Sequence, residues 1–307
     1  MDLDQIFTSK NISGSSRALY KRNLLALNDN QPIKSLTFLK NMDKINEKLE
    51  KYKPNTRRSY FIAIVSFLRC LKDIAPKKVG KLYDKYYAIL EVLNKELKNN
   101  TEMKPSEKEN WVTPEQINEI YSNLALIVPI AESKRKLTAH QFKDLQKLLV
   151  LALYSKTPPR RNKDYQQMYV TKNGNKELLQ TSNILNLKNR QFQFSQYKTA
   201  GSYNVQTMDI NDEIWSVLKL YLKHHPLRTS KEAYKLLVDA DGNPLENNND
   251  MTRILYKIFG KKVGSSMLRK VYLTSKYGNI VDQLEADVEA MGTSTETAQN
   301  NYIKKDD

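Results

Sequence analysis

The stretch from Lys98 to Asn110 reads KNNTEMKPSEKEN and has no apolar periodicity, whereas apolar residues recur at helical spacing on both sides of it. It cannot bury a face, so it divides the chain more firmly than any other feature and reads as a flexible, charged linker. The sequence therefore predicts a domain over 1–97, a linker over 98–110 and a second domain over 111–307. The other reading is an ordinary surface loop inside one larger domain. A chain of 307 residues suits two domains, and a hydrophobic share of 40 % supplies their cores. Two domains joined in this way can close around a rod-shaped ligand.

The first domain reads as helical. A helix begins near Ser15 and carries Leu19, Leu24 and Leu27. Asn55 can cap a second, running from Thr56 towards Lys72, whose Phe61, Ile64, Leu68 and Leu71 form one buried stripe. Pro76 stops that run, and a third helix spans about Val79 to Leu97. Arg57, Arg58 and Lys72 lie off the stripe, free to meet phosphate or to serve as plain surface charges.

In the second domain, Thr113-Pro114-Glu115-Gln116 combines a cap, a first-turn proline and a capping-box Gln, and Thr138 with Gln141 repeats the cap ahead of an apolar helix reaching about Tyr154. Asn183–Leu187, the alternating Gln191–Tyr197 and Tyr203–Met208 predict a small antiparallel sheet whose hairpin turn contains Lys198 and Gly201. Helices follow over about 212–223, 250–259 and 267–277, with two short ones up to Tyr302. The fold class is thus mainly α, with a small antiparallel sheet in a mostly helical second domain.

Charge narrows the partner. Fifty Lys+Arg against 34 Asp+Glu leave +16 at pH 7. Such a surface releases counterions when it meets a polyanion, which points to nucleic acid. An anionic membrane is the rival, but there is no apolar run of spanning length and no signal-peptide pattern. Cys70, the only cysteine, sits in an apolar run and reads as buried filler. With His140, His224 and His225 the only histidines, no Cys/His ligand cluster is expected and no metal or cofactor is implied.

Several side chains fit phosphate chemistry, although each also has a plainer reading. Arg160 and Arg161 emerge in a stiff turn after Thr157-Pro158-Pro159, where a planar guanidinium could donate two bonds to phosphate or simply be solvated. Lys198 could deliver a proton from the hairpin or merely decorate it. Arg269 follows the helix start Gly264-Ser265-Ser266, whose free N–H groups attract anions; a salt bridge is its other reading. Tyr302 is either an amphipathic anchor or a nucleophile. Forming phenolate from an ordinary phenol at neutral pH costs roughly 4 kcal/mol, a cost that neighbouring cations lower.

Together these residues resemble the tyrosine recombinase/integrase family, in a divergent branch like those of viruses and mobile elements. Arg161-Asn162-Lys163-Asp164 resembles its Arg-x-x-Glu/Asp motif, and Lys198 its hairpin lysine. Ser266-Met267-Leu268-Arg269 resembles its His-x-x-Arg box, and Met291-Gly292-Thr293…Thr297…Tyr302 its Leu-Gly-His…Thr…Tyr segment. The N-terminal part resembles its helical core-binding domain. The sequence departs from the family at Ser266 and Thr293, which stand where histidine, or histidine and tryptophan, are usual. Both can donate a hydrogen bond, but neither is an effective base near neutral pH.

The resemblance implies that Tyr302 attacks a DNA phosphodiester, giving a 3′-phosphotyrosyl bond and a free 5′ hydroxyl without metal or ATP. Arg161 and Arg269 would offset charge on the transition state, Lys198 would protonate the departing oxygen, and Asp164 would buttress the arginine clamp. It also implies double-stranded DNA as partner, a homotetramer on paired sites, and DNA contacts from Arg57, Arg58, Lys72 and Arg160. A type IB topoisomerase-like enzyme and a catalytically weak DNA-binding descendant remain as alternatives.

Overall fold

The computed structural model describes residues 2–8, 10, 12–98, 103–247 and 249–303. It divides into two compact units, Met1–Met103 and Lys104–Asp307. The boundary falls within the expected linker, of which 99–102 lie outside the described residues. The later part of that stretch is not flexible chain but a helix, Pro105–Asn110, opened by a proline at its first turn.

The first unit is all helix: α1 (Leu3–Thr8), α2 (Gly14–Leu27), α3 (Thr37–Lys40), α4 (Met42–Glu50), α5 (Pro54–Lys72) and α6 (Pro76–Lys98). Its core is built on α5, which packs against α1, α2 and α6. Burial on α5 is wider than the single stripe read from its spacing. Ala63, Val65, Phe67 and Cys70 are buried along with Phe61, Ile64, Leu68 and Leu71, because neighbours cover more than one side. Asn55 does not cap this helix; Pro54 opens it, with Lys53 at the cap. The proline's fixed φ already suits the first turn. Tyr86 is fully buried and donates its hydroxyl to the Leu39 carbonyl at 2.9 Å, which ties α6 to α3.

The second unit continues with α7 (Pro105–Asn110), α8 (Pro114–Ala125), α9 (Ile127–Ser133), α10 (Ala139–Ser155), α11 (Asn162–Gln166), β1 (Tyr169–Thr171), α12 (Lys176–Thr181), β2 (Ile184–Asn186), β3 (Gln191–Phe194), α13 (Ala200–Tyr203), β4 (Gln206–Asp209), α14 (Asp212–Lys223), β5 (Tyr234–Lys235), α15 (Asp250–Phe259), α16 (Ser265–Ala290) and α17 (Thr295–Thr297), followed by a π-turn over Ala298–Tyr302. Both expected capping boxes form: Thr113 with Gln116 and Thr138 with Gln141 exchange side-chain and backbone bonds at 3.1–3.3 Å. Helix α10 is the central post, buried continuously from Leu148 to Tyr154 and packed by α8, α9, α14, α15 and α16.

The sheet has the order β4-β3-β2-β1-β5 and is mixed rather than antiparallel. β1 and β2 run parallel, with Val170 opposite Leu185, because α12 carries the chain across between them. The other pairs are antiparallel, including β3 and β4 with Phe192 opposite Met208. Phe192 and Phe194 are fully buried and meet the ring of Tyr165 edge-on at 5.7 and 5.8 Å, which fastens the sheet to α11. The C-terminal helices also differ from expectation. The segment read as a helix ending near Tyr277 plus a shorter one is the single helix α16, which passes through Gly278; beyond that glycine Ile280 and Val281 are exposed and Val288 is buried.

His225 is fully buried between Tyr221 and Tyr234, at 5.5 and 4.8 Å. Its Nδ1 accepts from the Leu227 N–H at 3.1 Å, so the ring proton lies on Nε2, which faces the Leu236 carbonyl at 3.2 Å. Burial lowers its pKa to about 4. Below the ordinary histidine pKa the unfolded chain takes a proton that the folded one refuses, so stability falls as pH drops from about 6.5 towards 4, by about 1.4 kcal/mol per pH unit at most. Chemical denaturation across that range should show this slope in the wild type and a shallower one in His225→Gln.

Candidate active site

The turn after α10 is where the candidate residues begin to assemble. Pro158 and Pro159 cannot continue a helix, and the chain bends at Lys156 and Thr157 before it reaches Arg161, extended at the N-cap position of α11. The turn is stitched to β4 and its continuation. Thr157 donates its hydroxyl to Met208 Sδ at 3.3 Å, and Asn211 donates to the Lys156 carbonyl at 2.8 Å. Arg160 donates through Nη1 to Gln206 Oε1 at 2.9 Å and through Nε to Asp164 Oδ2 at 2.9 Å. Its guanidinium also lies over Phe194 at 3.8 Å and Tyr197 at 5.0 Å. With its side chain only 18 % exposed, Arg160 is a structural pin, not the free DNA contact expected of it.

Asp164 is buried beside it, and its carboxylate pairs with Arg160 rather than with Arg161, which the motif led one to expect. Desolvation pushes its pKa up, against the opposing pull of Arg160 and then Arg161. Arg161 is half-buried, and its guanidinium makes no hydrogen bond, ion pair or ring contact among the described residues. The next residue, Asn162, accepts from the Tyr154 hydroxyl at 2.7 Å and donates to Thr252 Oγ1 at 3.0 Å. Arg161 is thus an unspent cation between two neighbours that are held on opposite sides.

One of those sides is the β3–β4 connection. It is longer than a tight hairpin turn and contains α13. Asn183, fully buried, anchors its start: its amide donates to the carbonyls of Asp164 and Gln196, and its Oδ1 accepts from the N–H groups of Ser195 and Gln196, all at 2.8–3.0 Å. Tyr197 donates its hydroxyl to the Asn204 carbonyl at 2.6 Å and braces the loop across its width. Lys198 lies exposed between these anchors.

The other side is the start of α16. Asn162, Thr252, Lys262, Ser265, Ser266 and Lys270 line an open cleft of about 410 Å³ there, with Glu107 at its edge. Gly264 caps α16 without a side-chain bond, which leaves first-turn N–H groups available. Ser266 is exposed, and Arg269 is half-buried one turn further on, with no hydrogen bond or ion pair among the described residues. Helix α7 is clipped across this region: Glu107 accepts from Lys270 at 2.6 Å, Asn110 Oδ1 accepts from the Lys262 N–H at 2.9 Å, and Lys261 donates to the Trp111 carbonyl at 2.6 Å. The neighbouring Lys270 holds the Glu107 carboxyl below the usual range.

The turn is thus bonded to the hairpin loop and, through Asn162, to Thr252 of α15, and Asn162 shares a cleft with the start of α16, but the tyrosine is bonded to none of them among the described residues. Helix α16 runs unbroken for 26 residues, which puts about 30 Å between Arg269 and its C-terminal end. Gly292, at φ 66°, turns the chain there, and the Thr293 N–H bonds back to the Val288 carbonyl at 2.9 Å. Thr293 is half-buried, and Tyr302 is 61 % exposed at the end of the π-turn. Among the described residues no hydrogen bond or cation–π contact joins Tyr302 to Arg161, Lys198 or Arg269.

In the first unit, Arg58 donates to the Asn94 side chain, and Lys72 pairs with Asp84 at 3.1 Å and lies over Tyr83 at 4.5 Å, so neither is the free cation expected. Arg57 is half-buried, and its Nε has no partner among the described residues. No group of three or more His, Cys, Asp or Glu gathers among the described residues, and none of their helices is long and apolar enough to cross a membrane.

No family model, curated protein or solved structure matches the chain. Residue patterns alone did not flag Asn183, Gln206 or Asn162, because an amide in a loop or short strand reads as neutral until its partners are known. Asn183 is the sharpest case. Replacing it with Ala leaves two buried carbonyls and two N–H groups short of a partner, so Asn183→Ala should lower unfolding free energy by about 3 kcal/mol, read from the urea midpoint at unchanged slope.

Proposed function

We propose that the chain is a site-specific DNA recombinase or integrase that cleaves and rejoins strands through a phosphotyrosine linked to the 3′ end. One observation carries this reading. Among the described residues the Arg161 guanidinium has no hydrogen-bond partner, and it stands between Arg160, which is bonded to the end of the Lys198 loop at Gln206, and Asn162, which is bonded to Thr252 of α15 and lines a cleft with Ser265 and Ser266. Arginines without a protein acceptor suit a ligand with several anionic oxygens, and a phosphodiester is such a ligand. The charge of +16 suits the polyanion that contains it.

In this reading Tyr302 Oη bonds to phosphorus as the P–O5′ bond breaks. Arg161 and Arg269 hold the non-bridging oxygens, and Ser266 and the first N–H groups of α16 add neutral donors. Lys198 gives a proton to O5′, and the phenolic proton passes to solvent. Attack by a 5′ hydroxyl reverses the step, so bond energy is retained and two paired sites can exchange strands within a homotetramer. The chemistry requires the segment after Gly292 to bring Tyr302 to a cationic site, either on its own chain or on a neighbour.

A second reading, a DNA-binding descendant with little or no catalysis, is favoured by the lack of any hydrogen bond or cation–π contact between Tyr302 and the arginines among the described residues and by Ser266 and Thr293 at the usual histidine positions. A nicked suicide duplex distinguishes the two. The wild type should become covalently attached to DNA and Tyr302→Phe should not. Arg161→Ala and Arg269→Ala should each slow attachment by about 10²-fold or more while affinity for the duplex changes far less. A wild type that shifts duplex in a gel but never attaches would establish the second reading.

A further inference from the structure

We infer that Arg160 is a positioning residue for Lys198, fixing the proton donor's loop against the proline turn instead of gripping DNA itself. The inference rests on the recombinase reading and adds to it a residue whose part in the reaction is indirect.

A general acid works only within hydrogen-bond reach of the oxygen it protonates. A lysine amine rides on a flexible four-carbon stem, so its placement depends on the backbone that carries it. Lys198 is exposed on the loop between Phe194 and Gln206, and a loop of that length is mobile unless pinned. Arg160 pins both of its ends. Its guanidinium covers Phe194 at 3.8 Å and Tyr197 at 5.0 Å on one side of Lys198 and donates to Gln206 at 2.9 Å on the other. The Asp164 bond at 2.9 Å fixes the guanidinium itself at the start of α11, directly beside Arg161. Proton donor and phosphate clamp are thereby set on one rigid frame.

Lysine cannot reproduce this arrangement. The frame uses two donors in a fixed planar fork and an aromatic face at once, whereas an ammonium is a point charge. Arg160→Lys should therefore retain the charge next to Asp164 and lose the geometry.

The test uses the nature of the leaving group. With an ordinary duplex, Lys198 must transfer a proton as the P–O5′ bond breaks. With a 5′-bridging phosphorothiolate, sulfur departs as the thiolate and needs no proton. Single-turnover attachment by the full chain is measured on both substrates. Arg160→Lys should lose about 10²-fold on the oxygen substrate and recover to within a few fold of wild type on the sulfur substrate, as should Lys198→Ala. Arg161→Ala should be slow on both. Gln206→Ala, which leaves the Arg160–Asp164 pair intact, should show the same selective rescue from a smaller loss of about tenfold, and it decides the matter if Arg160→Lys does not fold. Equal losses on the two substrates, or no loss on either, for a folded variant would overturn the inference. If the wild type attaches to neither substrate, the recombinase reading fails first and the inference falls with it.

Discussion

The buried pairing of Arg160 with Asp164 is the constraint around which the second unit's candidate site is arranged. Burying a charge pair has a large desolvation cost, and the upward shift at Asp164 is its mark. The pair contributes less to stability than its geometry suggests, but losing one partner strands the other and would cost about 3–5 kcal/mol. What it supplies is registry. Through one guanidinium, the end of α10, the start of α11, β3 and β4 share a fixed point. Asn183 repeats the pattern in neutral form, with its amide bonded both to α11 and to the loop leaving β3.

Where local chemistry decides structure, the sequence was readable. Thr113 and Thr138 start helices because a threonine hydroxyl and a Gln three residues on satisfy orphan N–H groups, and that needs no tertiary knowledge. The ends of α14 and α15 were equally plain from their apolar spacing. Other features depended on contacts between distant residues. β1 and β5 hold three and two residues and exist only because β2 and each other's edges are there to pair with. α5 looked one-sided because spacing reports a stripe, whereas packing by α1, α2 and α6 buries more than a stripe. For the site, the types of residue were legible and their assignments were not. Two adjacent arginines are chemically identical in sequence, and only their tertiary partners, Asp164, Gln206, Phe194 and Tyr197, distinguish the pinned one from the free one.

The C-terminal segment shows a different limit. Glycine within a helix costs about 1 kcal/mol relative to alanine, too little by itself to end one. Gly278 lies inside α16, whereas Gly292 adopts φ 66° and its neighbours bond back onto the last turn. That difference sets the distance between Arg269 and the turn leading to Tyr302. The Tyr302 phenol is exposed on the short segment after Gly292.

Division between spent and unspent cations recurs along the chain and bears on how a strongly basic protein can be both ordered and receptive. Arg160, Arg58, Lys72 and Lys270 are each held by a protein partner: Asp164 and Gln206, Asn94, Asp84, and Glu107. Beside them stand Arg161, Arg57 and Arg269, whose guanidinium groups have no hydrogen-bond acceptor among the described residues. In Arg160-Arg161 and in Arg57-Arg58, one member is held by an acceptor and its neighbour has none among the described residues. The acceptor is a carboxylate for Arg160, which offsets part of the repulsion between the adjacent cations, and a neutral amide for Arg58. A half-buried guanidinium without an acceptor still has its planar set of donors to give, so a ligand with anionic oxygens gains bonds there that a paired guanidinium has already used.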